Sequence, residues 1–155
     1  MKSYLHYLNP KVLRYWTNDY PANSKGVDVN EIVRIELPVI TPSNNELLKM
    51  HWVAVWKLKE VYMWELVAVG AHDPKYKVKG KEKRIVRFMS FRPGILDTGN
   101  LAGGFKKLED AMVDMELLFD DSPKYADITY FQKVDRENPH TEILILNGGN
   151  YGKEK

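Results

Sequence analysis

A chain of 155 residues, 44% of them hydrophobic and 28% charged, has the make-up of one soluble globular domain with a true core. It holds no cysteine, which excludes disulfides, zinc–thiolate sites and thiol catalysis and fits a cytoplasmic protein. With 23 basic and 21 acidic side chains the net charge is only +2, so total charge alone does not point to nucleic acid.

The N-terminal run Met1-Lys2-Ser3-Tyr4-Leu5-His6-Tyr7 lacks the apolar stretch of a secretion signal. Residues 1–29 are rich in aromatic side chains (Tyr4, Tyr7, Tyr15, Trp16, Tyr20) without a clean period, and read as an extension packed on the domain, with an interaction surface as the alternative. Glu31 to Ile40 alternates enough to predict a strand. Pro42-Ser43-Asn44-Asn45 then turns the chain, and Ser43 or Asn44 is placed to cap a helix predicted from about Glu46 to Val69. That helix is apolar round most of its circumference, which implies burial on more than one side. His51, Lys57, Lys59, Glu60 and Glu65 interrupt the run, so it does not read as a membrane span. Trp52, Trp56, Tyr62 and Trp64 serve either as sheet-facing core or as a subunit contact.

Gly70 to Pro74 ends the helix. Lysine then recurs at every second position, Lys75, Lys77, Lys79, Lys81 and Lys83, which on a β-ribbon would place Lys75, Lys77 and Lys79 on one face. With Arg84, Arg87 and Arg92 they make a basic stretch fit to track phosphates; the plain alternative is a solvated loop. A strand is predicted over Ile85 to Phe91. Two more follow at Ile128 to Val134 and Glu142 to Leu146, joined through Asp135-Arg136-Glu137-Asn138-Pro139 as a hairpin. Residues 148–155, glycine-rich and polar, are expected to form a flexible tail. The sum is an α/β fold, one mixed β-sheet packed by one long and one shorter helix, with its domain over residues 30–147.

The chemistry concentrates after the central strand. Asp97 opens a glycine-rich turn through Gly99, Asn100 and Ala102-Gly103-Gly104, and a helix follows. Phe105, Leu108, Met112 and Met115 have the spacing of one buried face, leaving Lys106 and Asp110 one turn apart on a polar flank. From Glu109 to the closing pair Asp120-Asp121 every charged side chain is acidic. Carboxylates on both sides of a helix with a lysine between them suit Mg²⁺, which takes oxygen ligands and often only one or two protein carboxylates. A nucleotide-binding P-loop does not fit, because Phe105 stands where the lysine is required. His6, His51, His72 and His140 show no ligand spacing, and no serine sits in a nucleophile elbow.

This set of residues resembles the signature of RusA-type Holliday junction resolvases, with similarity over roughly residues 30 to 147. The family's pattern is an Asp-x-Asp-Asn-Leu run, a lysine, a helix with Asp-Ala-Leu and a terminal Asp-Asp. Here stand Asp97, Asn100-Leu101, Lys106, Asp110-Ala111-Met112 and Asp120-Asp121, and Pro42-Ser43-Asn44-Asn45 resembles the start of the family's first long helix. The resemblance implies a Mg²⁺-dependent (or Mn²⁺-dependent) endodeoxyribonuclease acting as a homodimer on branched DNA. In it Asp97, Asp120 and Asp121 hold metal, Lys106 lies beside the scissile phosphate, and Asn100 and Asp110 support them. Capping is the plainer role for Asn100. The chain departs from the pattern at Gly99, where the family has its second Asp, and carries the added Ala102-Gly103-Gly104. A second expectation follows: a module that binds branched DNA or a protein partner without cutting. A third is a purely structural protein on the same scaffold.

Overall fold

A computed structural model describes residues 31–148. Strand β1 (Glu31–Leu37) leads to helix α1 (Asn44–Lys49) and helix α2 (Trp52–Ala68). A 3-10 turn (Pro74–Tyr76) precedes β2 (Arg84–Arg92), helices α3 (Thr98–Gly104) and α4 (Lys106–Asp114), β3 (Ala126–Val134) and β4 (His140–Asn147). The strands form a four-stranded mixed sheet in the order β1-β4-β2-β3, antiparallel except for β2 against β3. The α/β expectation with a mixed sheet holds. The expected extension over 1–29, and all of the tail but Gly148, lie outside the described residues.

Helices pack on one face of the sheet. Tyr62 and Leu66 of α2, Leu101 of α3, and Leu108, Ala111 and Met112 of α4 meet Val33, Ile35, Leu37, Val86, Phe88, Ile143 and Ile145 in one core. Phe105, at the junction of α3 and α4, stacks on Phe88 with ring centroids 4.5 Å apart, and Tyr130 extends the group. Truncating a ring as buried as Phe105 typically costs about 3–5 kcal/mol. Every residue of the central strand β2 is buried. Its other face carries Ile85 against Leu144 and Leu146, and Met89 and Phe91 with Phe131.

Four expectations are corrected. The helix predicted over 46–69 is two helices, because Met50 and His51 adopt extended backbone between them and the His51 Nδ1 accepts from the Val53 N–H as the cap of α2. Of its apolar side chains only Tyr62 and Leu66 are fully buried, so the all-round apolar surface does not mean burial on several sides. The hairpin between the last two strands does not form: β2 lies between β3 and β4, and Asp135 N–H donates to Arg92 O where the loop passes the end of β2. Ala102-Gly103-Gly104 is the last turn of α3, not a loop. Ser43 does cap α1, its Oγ accepting from Glu46 N–H while the Glu46 carboxylate accepts from Ser43 N–H.

Candidate functional site

Beyond Arg92 the chain leaves β2, and Gln132 of β3 holds it. The Leu96 N–H donates to Gln132 Oε1 at 2.9 Å and Gln132 Nε2 donates to Leu96 O at 2.6 Å. This clamp delivers Asp97 as the cap of α3, with its Oδ1 accepting from Asn100 N–H at 3.0 Å. Asn100 Nδ2 donates back to Asp97 Oδ2, and Asn100 Oδ1 accepts from Asn45 N–H at 3.0 Å. Asn100 therefore does not cap its helix; it joins Asp97 to the first turn of α1. Its backbone and side-chain hydrogen bonds hold the exposed Asp97 carboxyl below its ordinary value.

That junction explains two glycines. A Cβ on Gly104 would stand 2.0 Å from Pro42 O, and one on Gly103 would stand 2.7 Å from the Asn44 side chain. The backbone of α3 thus lies directly against the Pro42-Ser43-Asn44-Asn45 turn. Two stretches singled out separately along the chain touch.

The second half of the site is built on α4. Lys106 Nζ donates to Asp121 Oδ2 and lies 3.0 Å from Asp110 Oδ1. The bond to Asp121 is the main reason its pKa is raised, with Asp110 adding to it. Lys107 lies 3.5 Å from the other oxygen of Asp110. Asp120 is held low chiefly by the Ser122 hydroxyl. Behind them, the Glu109 carboxyl is buried and accepts from the Tyr130 hydroxyl; desolvation pushes its pKa up. Trp56, Lys59, Lys107, Asp110, Val113, Asp114, Asp120 and Asp121 line an open groove of about 240 Å³ over this cluster.

The structure pairs Lys106 with Asp110, as the polar-flank spacing implied, and adds Asp121 to the pair. It does not assemble Asp97, Asp120 and Asp121 into one ligand set: among the described residues no three or more His, Asp or Glu side chains form a group that could hold a metal ion. Asp97 is engaged as a helix cap instead. The basic stretch is corrected as well. Arg84, Arg87 and Arg92 are buried and serve the fold. Arg84 Nη1 donates to Leu117 O at 2.8 Å, Arg87 Nη1 to Thr129 Oγ1 at 2.9 Å, and Arg92 Nη2 to Thr41 O at 3.0 Å. No ribbon forms at the lysines: Lys75 falls in the 3-10 turn beside Asp73, Lys77 pairs with Glu116 at 2.6 Å, and Lys79, Lys81 and Lys83 stand in the loop before β2.

Sequence reasoning missed Gln132, Glu109–Tyr130 and Trp56 as parts of this region. Pairings between separate elements leave no local pattern, whereas Glu109 stands four residues after buried Phe105 and three before buried Met112, on the face that α4 turns to the core. No protein-family model matches the chain, and no curated protein matches it.

Proposed function

We propose that the protein is a divalent-metal-dependent endonuclease of branched DNA whose working group is Lys106, Asp110 and Asp121. The observation that carries this reading is that two carboxylates eleven positions apart, Asp110 and Asp121, both line an open groove and converge on one ammonium group, that of Lys106. The resemblance to RusA-type resolvases sets the substrate class.

The donors fit a hard cation with two protein ligands rather than three. Asp110 and Asp121 already point at a common cation, their oxygens are the ligand type Mg²⁺ or Mn²⁺ prefers, and an open groove leaves room for phosphate to supply the rest. A cation held there by Asp110 and Asp121 would supply Lewis acidity toward water and phosphate. In hydrolysis a water oxygen forms a bond to phosphorus and gives up a proton, one bridging P–O bond breaks, and the departing oxygen takes up a proton in its place. Lys106 Nζ, kept protonated by its two carboxylates, offers charge to the phosphate oxygens as negative charge grows on them. Asp97 acts through Asn100 by fixing α3 against α1. Two cuts across a junction call for two sites, which a homodimer supplies; the exposed Leu48, Val61 and Trp64 of α1 and α2 offer apolar surface for one.

The test is cleavage of synthetic four-way junctions with Mg²⁺ or Mn²⁺, wild type against Asp121→Asn. We expect strand cuts by wild type and a loss of at least about 100-fold in the variant. Equal cutting by both proteins would remove the site, and no junction binding by wild type would remove the reading.

One observation favours the binding-only alternative: Gly99 brings no carboxylate to the Asp97 end. A Cβ there would lie 3.6 Å from Asp97 Oδ1, an ordinary contact, so Gly99→Asp can be accommodated. Junction binding without cutting by wild type, with cutting gained by Gly99→Asp, would establish that alternative.

A further inference from the structure

One wall of the groove is not used by the carboxylate–lysine cluster. Trp56 lines it beside Asp110, Asp120 and Asp121, and its side chain is 56% exposed. Lys59, one turn further along α2, lies 2.6 Å from Asp114 Oδ2 on α4, so α2 and α4 meet next to the indole. Single exposed hydrophobic residues are ordinary; an indole lining a concave charged site is a different case. It presents a flat apolar surface where the rest of the lining is ionic.

We infer that Trp56 is a stacking platform for one unstacked nucleobase of the strand whose phosphate lies at Lys106 and Asp121. The inference rests on the nuclease reading above and deepens it. Four carboxylates (Asp110, Asp114, Asp120, Asp121) face two ammonium groups (Lys59, Lys107) around the groove, with Lys106 paired to Asp110 and Asp121 beside it. Charge alone therefore does not draw a polyanion in, and affinity has to come from a divalent cation or from contacts that ignore charge. Base–indole stacking is such a contact, contributing roughly tenfold or more in affinity per base. A base inside a continuous duplex already has both faces covered. Only an unpaired or splayed nucleotide, as at a branch point, can give a face to Trp56. The platform is thus a selectivity element for branched over linear DNA.

The experiment crosses protein variants with substrate variants. Full-length wild type, Trp56→Ala and Trp56→Phe are titrated with a four-way junction in Ca²⁺, and with junctions carrying an abasic residue at each branch-point nucleotide in turn. We expect Trp56→Ala to lose roughly tenfold in junction affinity, with linear-duplex affinity unchanged and Trp56→Phe near wild type. One abasic position should weaken wild type to a similar degree and leave Trp56→Ala no weaker still. A Trp56→Ala protein that binds the intact junction as wild type does would overturn the inference. So would a loss of equal size on every abasic junction, or a loss that accompanies a fall in oligomeric state by sedimentation, which would give the indole to a second copy of the chain. If wild type binds no junction, the nuclease reading itself fails; loss confined to the Trp56 series leaves that reading untouched.

Discussion

The N–H of Asn45 donates to Asn100 Oδ1 at 3.0 Å across 55 residues of chain, tying the start of α1 to the Asp97-capped start of α3. Asn100 holds both partners at once, since its Nδ2 and its backbone N–H serve Asp97. Asn100→Ala should lower stability by about 1 kcal/mol, or about 2–4 °C in melting temperature for a domain of this size. It should also reduce junction cutting, because α3 carries the chain into Lys106. Asn100→Asp keeps an acceptor for Asn45 but sets two carboxylates together, so it should melt below wild type at neutral pH and recover on acidification. Thermal melts of the two variants at pH 7 and pH 5 check this.

The glycines of α3 give a steric prediction. Gly104→Ala would force a methyl group into Pro42 O, which is backbone and cannot swing aside. The cost should be roughly 1–3 kcal/mol. Gly99→Ala meets nothing closer than 3.6 Å in the same helix and should be neutral or stabilising by up to about 1 kcal/mol, since alanine is the better helix former. Equal melting temperatures for the two variants would contradict the packing of α3 on the Pro42 turn.

Lys106 is half exposed, so its ion pairs contribute little to folding. Lys106→Met should change stability by no more than about 0.5 kcal/mol. Its effect on cation binding should be larger. Removing the ammonium leaves Asp110 and Asp121 without their shared counter-charge, and the Mg²⁺-induced rise in melting temperature should exceed that of wild type even as cutting is lost. An unchanged or smaller Mg²⁺ response would show that these two carboxylates are not the cation's ligands.

Glu109 predicts a pH dependence. Burial raises its carboxyl above the ordinary value of 4.5, partly offset by the Tyr130 hydroxyl. A raised carboxyl pKa means the folded state holds the proton more tightly than the unfolded state. Its contribution is full below about 4.5 and is lost as pH rises through the folded value. Glu109→Gln keeps an acceptor for Tyr130 without the charge. It should therefore melt above wild type near neutrality, with the difference closing as pH falls toward 4.5, as pH-resolved melts would show.

What the sequence determined by itself is whatever rests on neighbours in the chain. The strand at Ile85 to Phe91, the Ser43 cap, the buried face Phe105-Leu108-Met112 and the Lys106–Asp110 pair all follow from spacings of two, three or four residues, and backbone geometry alone turns those spacings into shared faces. The break at His51 escaped that reasoning because apolar residues continue through it, and periodicity does not register a two-residue interruption of helical backbone. The fates of Arg84, Arg87 and Arg92 needed the sheet. Alternation marks which side of β2 they face, but only the carbonyls of Tyr76, Leu117, Asp127 and Thr41 turn three apparent phosphate contacts into buried structural bonds. Tertiary structure alone likewise decided that β2 separates β3 from β4, that Asp121 meets Lys106 and that Asp97 turns to Asn100. Contacts between distant segments depend on how whole elements pack their apolar faces, and no local pattern encodes which polar groups that packing leaves side by side.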